Sequence, residues 1–180
     1  MQKESNPVSR LLSAFYPDER AESTYAIDFA AWYRKGYRGL EFDVDNTLVP
    51  HGAPADQRSI ALFRRLREIG FRTCLISNNR YARVKPFADA LETEFISMAM
   101  KPFTGGYQRG CEVMGTDTAH TLFIGDQLFT DVWGARKAGL YSILVNPINP
   151  KEEVQIVLKR KLEKIVLEQY EKEQKQMHRA

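Results

Sequence analysis

Short apolar runs alternate with stretches of helical periodicity along most of the chain. The runs predict five strands at residues 40–45, 72–77, 94–97, 121–125 and 141–145. Apolar residues three and four positions apart predict intervening helices at residues 55–69, 81–91, 104–114 and 131–138. Runs such as Leu122-Phe123-Ile124 are apolar on both faces, which is typical of a parallel sheet covered by helices. The pattern therefore predicts an α/β fold with a central parallel sheet and helices on both faces.

Both ends of the chain have helical patterns. Residues 8–16 predict a short amphipathic helix that either packs on its own domain or contacts lipid. Its apolar positions are Val8, Leu11, Leu12, Phe15 and Tyr16. Residues 24–34 predict an aromatic-rich helix before the first strand. Residues 151–170 predict a charged helix with one apolar stripe, fraying into a polar tail after Tyr170. This helix either packs on the domain or serves as an arm for self-association or for an anionic surface.

Composition narrows the class of protein. A chain of 180 residues fits one domain, and its 26 basic and 23 acidic residues leave a formal net charge of +3. Nucleic-acid binding is not expected, whereas attraction to anionic substrates or to an anionic membrane surface is compatible with a pI near 8.8. Cys74 and Cys111 fall in a predicted strand and a predicted helix, which favours buried thiols over a disulfide. Without a signal-peptide pattern or a long apolar run, we expect a cytoplasmic protein, either free or peripheral to the inner face of the membrane.

The candidate chemistry begins at Asp43 and Asp45, which end the first apolar run. Two carboxylates so placed repel each other, so a cation is expected beside them. A carboxylate such as Asp43 can attack phosphorus and form an aspartyl phosphate. A second acid such as Asp45 can then protonate the leaving oxygen and deprotonate water. The same residues also fit a strand end followed by an Asx or ST turn.

Four motifs together resemble the haloacid dehalogenase (HAD) superfamily of phosphotransferases. The sequence Asp43-Val44-Asp45-Asn46-Thr47 is similar to motif I, Ser77 to motif II, Lys101-Pro102 to motif III, and Asp126 with Asp131 to motif IV. The chain also resembles the YqeG family of HAD subfamily IIIA, which is related to phosphatidylglycerophosphate phosphatases. The segments that carry this resemblance are Asp-Asn-Thr-Leu-Val, Ile-Ser-Asn-Asn and Gly-Asp-Gln-Leu-Phe-Thr-Asp. The resemblance covers residues 12–147. It implies a Rossmann-like HAD fold, and it divides the chain into an N-terminal helical segment (1–38), a catalytic core (39–150) and a C-terminal helix with a polar tail (151–180).

The resemblance also assigns a metal site. It implies that Mg²⁺ is held by the Asp43 side chain, the Asp45 backbone carbonyl and the Asp126 side chain, consistent with the oxygen ligands that Mg²⁺ prefers. Asp131 would act either as an outer partner of the metal through water or as the N-cap of the following helix. Open α/β sheets bind ligands beyond the carboxyl ends of their strands. The residues at or just after the ends of predicted strands are Asp43, Asp45, Ser77, Lys101 and Asp126.

Phosphate contacts are implied by the same resemblance. Ser77 and the backbone after it would bind the phosphoryl oxygens, and Lys101 would neutralise charge between Asp43 and the transferring group. Thr47 would support the turn after the nucleophile. Asn78 and Asn79 would either orient the substrate or cap the loop.

The spacing between motifs leaves no room for a large cap domain, so an open site is expected. An open site admits a headgroup at a membrane surface, whereas phosphatases of small metabolites more often need a lid. The expected activity is therefore hydrolysis of a phosphomonoester such as phosphatidylglycerophosphate. The alternatives are a soluble phosphorylated metabolite or a noncatalytic interaction module. The effect of Pro50-His51-Gly52 on specificity, and the oligomeric state, stay open at this point.

Overall fold

The computed structural model of the protein describes residues 11–149 and 154–177. A single sheet of six parallel strands forms its centre, in the order β1-β6-β5-β2-β3-β4. The strands are β1 (Glu19–Ala21), β2 (Gly39–Phe42), β3 (Arg72–Ile76), β4 (Glu94–Ile96), β5 (Thr121–Gly125) and β6 (Tyr141–Val145). The predicted α/β class and parallel sheet are confirmed.

Helices connect the strands. They are α1 (Phe29–Arg34), α2 (Gln57–Ile69), α3 (Tyr81–Leu91), α4 (Gly105–Met114), α5 (Trp133–Ala138) and α6 (Val154–Met177). Helix α2 begins two residues later than predicted because Asp56 is its N-cap, in a reciprocal capping box with Ser59. It ends at Gly70, whose left-handed backbone (φ 109°) terminates the helix.

Three local predictions differ from the structure. Strand β1 was not predicted, because Glu19-Arg20-Ala21 has no apolar run; it pairs with β6 at the edge of the sheet. The predicted helix over residues 24–34 is divided into a 3₁₀ turn (Thr24–Ala26) and α1, which has its own N-cap at Asp28. The predicted helix over residues 131–138 starts instead as a π-helical turn (Leu128–Val132) that continues into α5.

The N-terminal helix prediction can be compared with the structure only from Leu11 onward, because residues 8–10 lie outside the described residues. Residues 11 and 12 are helical, and a 3₁₀ turn (Ser13–Phe15) follows. Tyr16 is buried against Leu128 and Val132 of the π-helical turn. This end of the segment therefore packs on its own domain, as one of the two alternatives predicted.

The predicted fraying after Tyr170 is wrong, since α6 continues to Met177. Glu173, beyond the predicted end, accepts hydrogen bonds from the Tyr16 hydroxyl (3.1 Å) and from the Gln169 amide (2.9 Å). One face of α6 packs on the domain through buried Val166, and Glu163 accepts a hydrogen bond from the Leu128 N–H at 2.8 Å. None of the described helices is both long and apolar enough to cross a bilayer.

The carboxyl ends of the parallel strands all lie at one end of the sheet, where Asp43, Ser77 and Asp126 directly follow β2, β3 and β5. The residues between Asp43 and Lys101 are all described. They form only α2, β3, α3, β4 and the loops between them, so no cap domain is inserted there to cover this end of the sheet.

Candidate active site

Asp43 sits at the tip of the central strand. Its backbone N–H bonds to the carbonyl of Ile124 at 2.9 Å, which extends the pairing of β2 with β5 by one residue. On the other side, the Ser77 N–H bonds to the Ile96 carbonyl and extends the pairing of β3 with β4. The sheet thus fixes the backbone of both residues. Only 8% of Asp43 is exposed.

Lys101 joins two acids at the bottom of the site. Its Nζ lies 2.6 Å from Asp43 Oδ1 and 2.7 Å from Asp131 Oδ1, and all three residues are buried. Burial alone would lower the pKa of Lys101, but Asp131 and Asp43 more than offset it, so the pKa is raised and the ammonium stays charged. Burial raises the pKa of Asp43 to about 6, against the opposing effect of Lys101. Lys101 therefore supplies a cation beside Asp43 and Asp131, whereas the sequence predicted one beside Asp43 and Asp45.

Asp131 organises the loop that carries Asp126. Its Oδ2 accepts hydrogen bonds from the backbone N–H groups of Asp126 (3.1 Å) and Gln127 (3.0 Å). The alternative that Asp131 caps the following helix is wrong, because Asp131 lies inside the π-helical turn. Thr47 does more than support its own turn, since its hydroxyl donates to Asp126 Oδ1 at 3.1 Å.

The acids together could hold a metal ion. Carboxylate oxygens of Asp43, Asp126 and Asp131 all lie within 4.8 Å of one another. Three carboxylates gathered in this way offer oxygen ligands of the kind that a hard divalent cation such as Mg²⁺ prefers. The structure thus brings Asp43 and Asp126 together, as the proposed ligand pair requires, and adds Asp131 to the same cluster.

Asp45 points toward a set of donors that the sequence did not predict. Its carboxylate accepts hydrogen bonds from the Gly52 N–H (2.7 Å), the Asn79 amide (2.6 Å) and Arg83 (3.0 Å). Arg83 also donates to the Ala53 carbonyl at 2.8 Å, which ties the Asp45 carboxylate to the loop before α2. The turn Pro50-His51-Gly52 therefore holds Asp45 through a backbone N–H. Arg83 was missed because an arginine one turn into a helix carries no motif.

Ser77 and Asn78 have different local roles. Ser77 Oγ accepts a hydrogen bond from the Asn79 N–H at 3.2 Å, and helix α3 has Arg80, not Ser77, at its N-cap position. The Asn78 side chain bonds twice to the backbone of Lys101, through Nδ2 to the carbonyl (3.1 Å) and through Oδ1 from the N–H (2.7 Å). The Asn78 amide is thus engaged in holding Lys101.

Several of these residues line a cleft of about 230 Å³ at the carboxyl ends of the strands, but Asp126 and Asp131 are not among them. Its lining residues are Asp43, Asp45, Asn46, His51, Ser77, Asn78, Asn79, Lys101, Gln127 and Thr130. Gln127 and Thr130 were not predicted, although their position between Asp126 and Asp131, after a buried strand, is a usable indication. A larger cleft of about 430 Å³ lies where β3 and β4 begin, beside Arg72 and Glu94, and it does not contain the acidic cluster.

Several known proteins are similar to this chain in sequence. The pattern of haloacid dehalogenase-like hydrolases matches residues 56–139. The chain is 33% identical to "Probable phosphatase YqeG" of Bacillus subtilis over 154 residues, which cover 85% of this chain and 90% of that protein. It is 28% identical to "Phosphatidylglycerophosphate phosphatase 1, chloroplastic/mitochondrial" of Arabidopsis thaliana over 161 residues, which span 80% of this chain and 44% of the plant protein.

Solved structures show the same fold. The 3-deoxy-D-manno-octulosonate 8-phosphate phosphatase of Moraxella catarrhalis, in complex with magnesium, phosphate and sugar, is similar at a TM-score of 0.51 and 19% identity, over 67% of this chain and 75% of that one. An uncharacterised protein of Listeria monocytogenes is similar at a TM-score of 0.52 and 13% identity, over 65% and 84%. Fold and sequence together define a hydrolase of the phosphatase class. The chain belongs to the haloacid dehalogenase-like hydrolases, and within them it is a relative of YqeG.

Proposed function

We propose that this phosphatase is a magnesium-dependent phosphomonoesterase that acts through an aspartyl phosphate on Asp43. The observation that carries the proposal is the position of Lys101, which lies within 2.6 to 2.7 Å of Asp43 and Asp131 at the floor of an open cleft. Asp126 belongs to the same cluster of carboxylates. Phosphoryl transfer depends mainly on positioning and on neutralising charge, and these groups can do both.

The chain's own residues take part in two chemical steps. In the first, an Asp43 carboxylate oxygen attacks phosphorus and the P–O bond to the leaving group breaks, while Asp45 gives the leaving oxygen a proton. In the second, Asp45 takes a proton from water as that water attacks the phosphorus of the aspartyl phosphate. Asp43 is then restored and inorganic phosphate is released. Lys101 balances the negative charge beside Asp43 in both steps.

A bound Mg²⁺ would neutralise charge on the phosphoryl oxygens and orient them. Asp43 and Asp126 would hold it through their side chains and Asp45 through its backbone carbonyl. Asp131 already accepts three hydrogen bonds, from Lys101 and from the N–H groups of Asp126 and Gln127, which suits it to an outer position in contact with the metal through water. The Ser77 hydroxyl would donate a hydrogen bond to a phosphoryl oxygen in the cleft.

We further propose that the substrate phosphate is carried by a lipid headgroup, as in phosphatidylglycerophosphate. Two observations support this choice. No cap domain lies between Asp43 and Lys101, so the cleft is accessible to a phosphate fixed at a surface. The chain also resembles a plant protein named for that activity, although it spans less than half of that protein's length. A soluble phosphorylated metabolite is the alternative that the experiment must separate.

The test compares Asp43→Asn with the wild type on a panel of phosphomonoesters, with Mg²⁺ or with EDTA. The panel contains phosphatidylglycerophosphate in mixed micelles, sugar phosphates and nucleotides. We expect activity only with the metal, loss of turnover by at least about 10³-fold in Asp43→Asn, and preference for the lipid. Asp89→Asn, at an exposed ion pair of α3, is the matched control and should retain full activity. Turnover retained in Asp43→Asn would contradict covalent catalysis, and preference for a soluble phosphate would contradict the lipid assignment.

A further inference from the structure

The loop between β4 and α4 exposes an unusual amount of apolar surface. Met98, Met100 and Phe103 are 63%, 67% and 65% exposed, which makes this short loop the site of three of the nine large exposed apolar side chains among the described residues. Ala99 and Lys101, between them, are only 2% and 7% exposed. The loop therefore turns its small and charged side chains inward and its large apolar side chains to the solvent. We call Met98, Met100 and Phe103 the apolar rim.

The apolar rim is attached to the mouth of the catalytic cleft. The Met98 N–H bonds to the Asn79 carbonyl at 2.8 Å, and Met100 directly precedes Lys101, whose N–H bonds to Asn78 at 2.7 Å. Asn78, Asn79 and Lys101 all line the cleft. The Phe103 N–H closes the turn on the Met100 carbonyl at 2.9 Å. The apolar rim is thus connected directly to residues that line the catalytic cleft.

The backbone of the rim is unusual as well. Met98 and Met100 have left-handed φ values of 47° and 58°, a region that methionine rarely adopts. Backbone strain of this kind persists where the surrounding structure enforces it, and it is concentrated at binding and catalytic sites. Here the conformation accompanies solvent-facing methionines, not buried ones. The surrounding structure therefore fixes the backbone that presents Met98 and Met100 to the solvent.

We propose that the apolar rim inserts into the surface of an anionic phospholipid membrane and so presents the cleft to a lipid-borne phosphomonoester. The inference rests on the proposed function, because it explains how the same site would reach a lipid substrate. Exposed Phe and Met side chains beside cations are suited to the boundary between headgroups and acyl chains. Lys137 supplies such a cation, since its exposed Nζ lies 5.9 Å from the centre of the Phe103 ring and 4.5 Å from that of Trp133.

A second copy of the chain is a less suitable occupant. Three side chains of this size expose roughly a few hundred Å² of apolar surface, well below the ~800 Å² that each partner buries in a stable dimer. A bilayer needs no complementary shape, and its negative surface potential attracts Lys137 and a chain with a formal charge of +3. The size and the charge of the patch thus favour a lipid surface over a protein partner.

The test measures vesicle binding separately from catalysis. The rim variant combines Met98→Asn, Met100→Asn and Phe103→Ser, where Asn is chosen because it tolerates left-handed φ. The control variant combines Val113→Asn, Leu162→Asn and Ile165→Asn, which removes three exposed apolar side chains elsewhere. Each protein is sedimented with vesicles of phosphatidylcholine alone or with added phosphatidylglycerol. Its turnover is measured on p-nitrophenyl phosphate and on phosphatidylglycerophosphate in vesicles.

We expect the wild type and the control to bind phosphatidylglycerol vesicles, and the rim variant to bind about 100-fold more weakly. The rim variant should lose turnover on vesicles by a similar factor while keeping its turnover on p-nitrophenyl phosphate. Equal vesicle binding by rim variant and wild type would overturn the proposal, as would equal wild-type binding to both kinds of vesicle. A dimer of the wild type that dissociates in the rim variant would also overturn it. A different result would contradict the proposed function. If the wild type did not hydrolyse p-nitrophenyl phosphate, the phosphatase proposal would fail, whether or not the protein bound vesicles.

Discussion

The side chain of Asn78 is hydrogen bonded at both of its ends to the backbone of Lys101. Nδ2 donates to the Lys101 carbonyl at 3.1 Å, and Oδ1 accepts from the Lys101 N–H at 2.7 Å. This pairing connects the loop after β3 to the loop after β4 and fixes the point from which the Lys101 ammonium reaches Asp43. Asn78 is thus suited to position the catalytic cation, whereas the sequence predicted that it orients the substrate or caps the loop.

The first prediction separates these roles. Asn78→Asp keeps the acceptor for the Lys101 N–H but loses the donor to its carbonyl, and Asn78→Ala loses both. If Asn78 positions Lys101, kcat should fall by about tenfold in Asn78→Asp and further in Asn78→Ala, with little change in KM. Steady-state kinetics on p-nitrophenyl phosphate would measure both constants. A large rise in KM at unchanged kcat would instead favour direct contact with the substrate phosphate.

The regular parts of the fold and the motif acids could be predicted from the sequence because both depend on local pattern. Strands such as β5 and β6 are continuous apolar runs, and parallel pairing then brings Asp43 and Asp126 to the same end of the sheet. Strand β1 has no such pattern, since an edge strand of three residues is specified by its neighbour β6. Arg83 likewise could not be assigned, because its partner Asp45 lies far away in sequence and is reached only after folding.

The second prediction concerns the ion pair between Arg83 and Asp45. If Arg83 holds Asp45 in position to protonate the leaving group, Arg83→Met should slow the hydrolysis of alkyl phosphates by about tenfold. It should affect p-nitrophenyl phosphate less, because p-nitrophenolate leaves readily without a proton. Parallel kcat/KM measurements on glycerol phosphate and p-nitrophenyl phosphate would test this, with Lys85→Met on the same helix as control. Equal losses on both substrates would contradict a role in protonating the leaving group.

The third prediction concerns the two thiols. Cys74 and Cys111 are free and buried, as the sequence indicated. Burial, reinforced by Glu41, raises the pKa of Cys111 to about 12, and burial likewise raises the pKa of Cys74. A raised pKa keeps the thiol protonated at pH 8, and the protonated thiol is the unreactive form. Iodoacetamide at pH 8 should therefore leave both residues unmodified in the native protein and alkylate both in urea, as mass spectrometry would show. Rapid modification of native Cys111 would contradict the burial of its thiol.

The burial of the Glu41 carboxyl in the centre of the sheet costs folding free energy. It lies on β2, is fully buried, and its Oε2 has no hydrogen-bond partner among the described residues. Oε1 is 3.6 Å from the Cys111 sulfur, and the space beside it is so restricted that a Cβ on Gly110 would approach within 2.3 Å. Burial raises the pKa of Glu41 well above its usual range, opposed by the Cys111 thiol and Lys101. At neutral pH, folding must therefore either protonate this carboxyl or bury its charge.

The fourth prediction follows from that cost. Glu41→Gln keeps the shape of the side chain and removes the ionisable group, so we expect the free energy of unfolding at pH 7.5 to rise by about 1–2 kcal/mol. Urea denaturation monitored by circular dichroism would measure the change. Glu94→Gln, the same substitution at an exposed position of β4, should stay within about 0.5 kcal/mol of the wild type. A loss of stability in Glu41→Gln would contradict this prediction and would mean that the charged carboxylate is stabilised in the core, where Lys101 opposes the rise in its pKa.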